Sequence, residues 1–220
     1  SWRLGLAVAW SRLQQFMLRT LCGLHYELEG CEHIPDQPCV MYWKHTSTWE
    51  TFFTFILCSP QCWVAKHELL RIPLFGWALA LLEPIAIDRS AGHSAVQQVL
   101  EQGKGKLERG FWINIFPEGT RMPAGTTRRY GLSGALLAER NGVSILPIAH
   151  NAGDYWPRHS ILKKSGKITV CIGPPISTTG KKPEAINMEA QTWIENQMRE
   201  ISPAYADGGM WLEKPRHLDS

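Results

Sequence analysis

KHTSTWE, residues Lys44 to Glu50, sits where the pattern of the chain changes. Before it, Val40-Met41-Tyr42-Trp43 is a short apolar run of strand length. After it, Thr51-Phe52-Phe53-Thr54-Phe55-Ile56-Leu57 reads as helix. The stretch therefore delivers His45 to the junction of a buried strand and a helix, where open α/β sheets gather their chemistry. Glu50 stands five residues further on. A neutral imidazole oriented by a carboxylate can take a proton from a hydroxyl. Ser47-Thr48-Trp49-Glu50 also fits Ser-x-x-Glu, the capping box that opens a helix, so Glu50 has a purely structural reading too. Both readings stay open, with one carboxylate oxygen available to each role.

A second stretch, Phe116-Pro117-Glu118-Gly119-Thr120-Arg121, follows the apolar run Trp112-Ile113-Asn114-Ile115. Gly119 lets backbone amides approach a ligand closely, and Arg121 carries a planar fork suited to phosphate. Glu-Gly is equally ordinary turn chemistry. Two more basic residues close predicted strands: Lys66 after Cys62-Trp63-Val64-Ala65, and Arg89 after Pro84-Ile85-Ala86-Ile87-Asp88. Each reads either as a solvated charge or as a phosphate contact.

Outward from these stretches, strands and helices alternate. Residues 4–24 have helical periodicity, with Leu6, Trp10, Leu13, Met17 and Leu21 at steps of three or four and Arg3, Arg12 and Arg19 between them. That stripe either packs on the core or lies in a membrane interface. Tyr26–Gly30 alternates like an edge strand. HELLRIPLFGWALALL, residues 67–82, is the longest apolar segment, but Pro73 and Gly76 forbid one straight helix. It is either a buried helix pair or an apolar wall facing lipid or an acyl chain. Helices are expected over about Ala95–Arg109, Leu132–Arg140 and Pro183–Ile201, and strands over Val143–Ala149 and Lys167–Ile172. The alternation implies a single α/β domain, with a largely parallel or mixed central sheet flanked by helices.

Composition narrows the class. With 220 residues, 44% hydrophobic and 20% charged, the chain can bury one sizeable core. A net charge of +3 is too small to argue for nucleic acid. Ten tryptophans are many for this length, and Trp favours interfaces where its ring is apolar and its N–H stays wet. The six cysteines form no Cys-x-x-Cys pair, so neither zinc nor a disulfide framework is expected, and a reducing, cytoplasmic setting is. No apolar run reaches the roughly 18 residues that read as a membrane span. The chain opens at Ser1-Trp2-Arg3-Leu4 without Met, as a trimmed or processed chain would.

The ordered blocks carry a resemblance. His45-x-x-x-x-Glu50, then Pro84-Ile85-Ala86-Ile87-Asp88-Arg89, Phe116–Arg121 and Ile145-Leu146-Pro147-Ile148 resemble the glycerolipid acyltransferase superfamily, and within it the bacterial 1-acyl-sn-glycerol-3-phosphate acyltransferases. Glu50 stands where that family usually has Asp, and Gly131 where it often has Lys. The resemblance implies transfer of a fatty acyl group from acyl-CoA or acyl carrier protein to the sn-2 hydroxyl of a lysophosphatidate acceptor, with no metal or other cofactor. It implies His45 as general base, Glu50 as its orienting carboxylate and Glu118 at the glycerol end of the acceptor. Gly119, Thr120, Arg121, Arg89 and Lys66 would serve the acceptor phosphate. The residue pattern gives an amphipathic helix and edge strand at 1–30 and an irregular tail at 206–220, and the resemblance makes 31–205 the acyltransferase domain. The expected location is the cytoplasmic face of a bacterial inner membrane, held peripherally or by a segment outside this sequence.

Overall fold

The computed structural model describes residues 2–88 and 92–212, apart from the side chain of His93. In chain order the elements are α1 (Trp2–Cys22), β1 (Leu24–Glu29), β2 (Val40–Trp43), α2 (Trp49–Leu57), β3 (Gln61–Lys66), α3 (Phe75–Leu81), β4 (Ile85–Ile87), α4 (His93–Glu108) and β5 (Trp112–Ile115). They continue with β6 (Thr126–Thr127), α5 (Ser133–Arg140), β7 (Ile145–His150), α6 (Ala152–Tyr155), β8 (Gly166–Ile172), α7 (Pro183–Ile201) and β9 (Met210–Trp211). Seven strands form one sheet in the order β1-β8-β7-β2-β5-β3-β4. All neighbours run parallel except β7 and β8, so the sheet is mixed, as its alternating pattern predicts.

The central strand β2 is buried along its whole length because both faces of the sheet are covered. Side chains alternate across a strand, so Val40 and Tyr42 enter one core while Met41 and Trp43 enter the other. The first core packs α4, α5 and α7 on the sheet through Val99, Leu137, Ala190 and Ile194. The second packs α1 and α2 through Leu18, Trp49 and Phe53. Parallel strands β2, β5, β3, β4 and β7 end on one side of the sheet, so the strand ends Lys66 and His150 and the turns carrying His45 and Glu118 lie on that side. Arg89 lies outside the described residues.

Three expectations are resolved by packing. The stripe Leu6, Trp10, Leu13, Met17 and Leu21 faces outward, and α1 meets the domain through Leu4, Ser11, Gln15 and Leu18 instead. Gln15 Oε1 accepts the indole N–H of Trp49 at 2.8 Å, a bond that periodicity cannot reveal. The apolar segment 67–82 is a 3₁₀ turn followed by the short helix α3, with Leu74, Phe75, Trp77 and Leu81 exposed. Between this wall and α1 lies an open apolar groove of about 440 Å³, lined by the exposed Leu6, Trp10 and Phe75 and by Phe52, Phe55 and Leu79 beneath them. The tail expected to be irregular forms β9, which pairs with β6 after Gly208 and Gly209 turn the chain back; residues 213–220 lie outside the described set. Among the described residues, no helix is long and apolar enough to cross a membrane.

Candidate active site

The last ladder bond of β2 runs from the Lys44 N–H to the Ile148 carbonyl at 3.0 Å. His45 therefore stands at the point where the strand leaves the sheet. Its ring stacks on Phe116, from the turn after the neighbouring strand, with centroids 4.0 Å apart and planes 21° from parallel. Its side chain is 13% exposed.

Glu50 is fully buried in the first turn of α2, and its Oε1 lies 2.8 Å from His45 Nδ1. The same oxygen accepts the N–H of Thr46 at 3.1 Å and of Ser47 at 2.9 Å. Helix opening and imidazole orientation thus fall on one oxygen, not on two. The Ser47 bond is the backbone half of a capping box; the other half is shifted, because Ser47 Oγ accepts from the Trp49 N–H at 3.1 Å. Glu50 Oε2 has no hydrogen-bond partner among the described residues and faces His150 Nε2 at 3.9 Å. Burial pushes the Glu50 carboxyl up, but His45, His150 and the Ser47 N–H together outweigh it and hold it below its ordinary value. An ionised carboxylate only accepts, so His45 Nδ1 is the donor and the lone pair sits on Nε2.

Behind the dyad lies a buried charge network. Lys44 is fully buried, and its ammonium donates to Glu118 Oε1 at 2.7 Å, Glu195 Oε1 at 2.8 Å and the Thr126 carbonyl at 3.1 Å. Glu195 Oε1 also accepts from the Thr127 and Tyr130 hydroxyls. Burial alone would drive the Lys44 proton off, but Glu118, Tyr205 and Glu195 hold its pKa above the ordinary value. Burial pushes Glu118 up to about 7 against the pull of Lys44, and the neighbouring Glu195 carboxylate adds a smaller push in the same direction. Glu118 Oε2 accepts the backbone N–H of His45 at 2.8 Å. Glu118, expected at the glycerol end of an acceptor, here has both oxygens engaged within the protein and its side chain sealed from solvent.

The rest of the turn is more open. Gly119 takes φ of 73°, a conformation natural to glycine, and its N–H closes onto the Phe116 carbonyl at 2.9 Å. Thr120 is exposed, and Arg121 is half-buried with an Nε–H that has no hydrogen-bond partner among the described residues. The Met122 N–H donates to the His45 carbonyl at 2.7 Å, tying this turn to the histidine turn. Lys66 stands exposed at the end of β3, separated from β2 by β5. Lys44, Glu195 and His150 escaped the reading of the sequence. Each left a signal: Lys44 and His150 polar at the ends of apolar runs, Glu195 on the inward stripe of α7 beside Ile194 and Met198.

Residues 25–151 match the family described as Acyltransferase. The chain belongs to the acyltransferase family. This acyltransferase is 48% identical over 197 residues to the 1-acyl-sn-glycerol-3-phosphate acyltransferase of Pseudomonas aeruginosa, covering 88% of the chain and 77% of that relative. It is 30% identical to the bovine 1-acyl-sn-glycerol-3-phosphate acyltransferase alpha, covering 93% of the chain and 73% of that relative. Its fold matches the crystal structure of the 1-acyl-sn-glycerophosphate (LPA) acyltransferase PlsC from Thermotoga maritima with a TM-score of 0.73 at 22% identity, over 90% of this chain and 78% of that one. His45, Glu50, Glu118 and His150 all fall inside the matched segment of the acyltransferase, whereas Glu195 lies beyond it.

Proposed function

We propose that the protein acylates the sn-2 hydroxyl of 1-acyl-sn-glycerol-3-phosphate, giving phosphatidate, with acyl-CoA or acyl carrier protein as donor. The observation that carries the chemistry is the 2.8 Å contact of His45 Nδ1 with the buried Glu50 carboxylate. His45 Nε2 takes the hydroxyl proton as the acceptor oxygen attacks the thioester carbonyl. Glu50 stabilises the imidazolium that forms. The tetrahedral centre collapses, the C–S bond breaks, and the departing thiolate recovers the proton from His45.

Direct attack by the acceptor needs no acyl-enzyme. Ser47 is a poor nucleophile here, since its Oγ donates to the Trp156 carbonyl at 2.6 Å. Burial pushes the thiols of Cys39, Cys58, Cys62 and Cys171 up to about 12, far from thiolate chemistry at neutral pH. The acyl thioester is a substrate, and the steps as written call on no cofactor.

Arg121 is the principal phosphate ligand in this reading, because a buried N–H of its guanidinium has no hydrogen-bond partner among the described residues. Thr120, the backbone at Gly119, Arg89 and Lys66 are further proposed contacts. The names of the relatives from Pseudomonas aeruginosa and cattle support the lysophosphatidate acceptor. We assign membrane contact to the outward apolar faces of α1 and α3, with Arg3, Arg12 and Arg19 beside them, and place the protein peripherally on the cytoplasmic face of a membrane. The domain reading is 1–30 for interfacial attachment, 31–205 for catalysis and 206–220 as tail. Mass spectrometry of products from purified protein, acyl-CoA or acyl carrier protein, and a lysolipid panel tests the whole. Phosphatidate formed from lysophosphatidate in preference to other lysolipids supports the reading; product from another acceptor alone refutes the acceptor assignment.

A further inference from the structure

The peptide unit between Lys44 and His45 carries the base, and it lies beyond the last ladder bond of β2. A trans peptide points its carbonyl and its N–H in opposite directions, so holding it rigid needs a partner on each side. Both partners are buried side chains, one at the end of the flanking strand β7 and one from the turn that follows the flanking strand β5. On the β7 side, His150 Nε2 donates to the Lys44 carbonyl at 2.7 Å. On the β5 side, Glu118 Oε2 accepts the His45 N–H at 2.8 Å, and Lys44 Nζ grips the other Glu118 oxygen at 2.7 Å.

We propose that His150 and the Lys44–Glu118 pair are positioning residues that clamp the Lys44–His45 peptide and so fix the direction in which the catalytic imidazole faces. This rests on His45 being the base. His150 is suited to the task in three respects. It is fully buried at the end of β7, so its ring has no solvent to turn toward. The Ala152 N–H donates to His150 Nδ1 at 3.3 Å, which leaves the proton on Nε2, where the Lys44 carbonyl needs it. Burial also holds its pKa below the ordinary value, so it stays neutral beside Lys44. A buried polar side chain at this depth has a structural reading as well, so the test must separate folding from positioning.

Glutamine and asparagine make the separation. In His150→Gln the amide nitrogen reaches the position of imidazole Nε2; in His150→Asn it stops near Nδ1, with the same chemistry one methylene shorter. Each is compared with wild type and His45→Ala, on lysophosphatidate and whichever thioester the wild type turns over, with folded fraction from circular dichroism. The expected result is kcat within about tenfold of wild type for Gln and about 10²-fold lower for Asn, at similar KM, as misplacement of a reacting group by about 1 Å predicts. Equal kcat for the two amides at equal folded fraction, or a change confined to KM, overturns the clamp. A measurement on wild type needs no variant: ¹⁵N resonances of labelled histidine must place the His150 proton on Nε2 at neutral pH, and a proton on Nδ1 overturns the proposal. Full activity in His45→Ala sinks the general-base reading itself. An inactive His45→Ala alongside indistinguishable amide variants sinks the clamp alone.

Discussion

Replacing Glu50 by Gln separates charge from shape at the centre of the site. Glu50 Oε1 accepts from His45 Nδ1 and from the Thr46 and Ser47 N–H groups, and a Gln carbonyl oxygen at the same point can accept all three. The helix start and the imidazole tautomer therefore survive. Two things change. The amide NH₂ replaces Oε2, which has no hydrogen-bond partner among the described residues and faces the His150 Nε2–H at 3.9 Å. Burying unsatisfied donors there costs about 1–3 kcal/mol, which lowers Tm by about 2–12 °C for a domain of this size. The imidazolium also loses its counter-charge, so kcat should fall roughly 10²- to 10³-fold, the scale of general-base assistance. A thermal melt beside steady-state kinetics on lysophosphatidate measures both. Glu50→Asp, which restores the side chain common among the resembling enzymes, should keep measurable activity. The charge also has a pH signature. Glu50 is held below its ordinary value of 4.5, so its stabilisation is present above that pH and is lost as pH falls through the folded value. The Gln variant should lose less stability than wild type on acidification below about 4.5. Full kcat in folded Glu50→Gln would refute the reasoning, leaving Glu50 a helix cap and His45 without a carboxylate partner.

Arg121→Ala should lower kcat/KM for lysophosphatidate about 10- to 150-fold, the worth of a charged hydrogen bond to phosphate, with little change in Tm; wild-type turnover would exclude Arg121 as a phosphate ligand. Lys44→Met leaves Glu118 and Glu195 sharing a buried space without their ammonium, and should cost about 3–5 kcal/mol in denaturant unfolding. Adding Glu118→Gln to it should return part of that loss, and a fully additive double variant would deny the coupling. Cosedimentation with anionic vesicles should pellet the protein, and Leu6→Glu with Trp10→Glu should abolish pelleting without changing Tm, since both side chains point outward from α1. Equal, negligible pelleting of wild type with and without anionic lipid would remove α1 as a docking face.

The sequence by itself determined the α/β class, the order of strands and helices through most of the chain, and the placing of His45 and Glu50 together at a junction of strand and helix. These are local facts. Apolar periodicity specifies an element, and a four-residue run followed by Lys-His and a capping box specifies a strand end running into a helix. What lay beyond reach depended on which segments meet. The stripe of α1 is apolar whichever way it faces, and only the docking of Gln15 and Leu18 against α2 and the sheet turned Leu6 and Trp10 outward. Glu118 has the same local signature whether it meets a ligand or a buried lysine, and its fate was decided by Lys44, 74 positions earlier. Glu195 and His150 enter the site only because α7 covers one face of β2 and β7 flanks one side of it. Polar groups far apart in sequence become partners when burial denies them water, and that condition is set by tertiary packing alone.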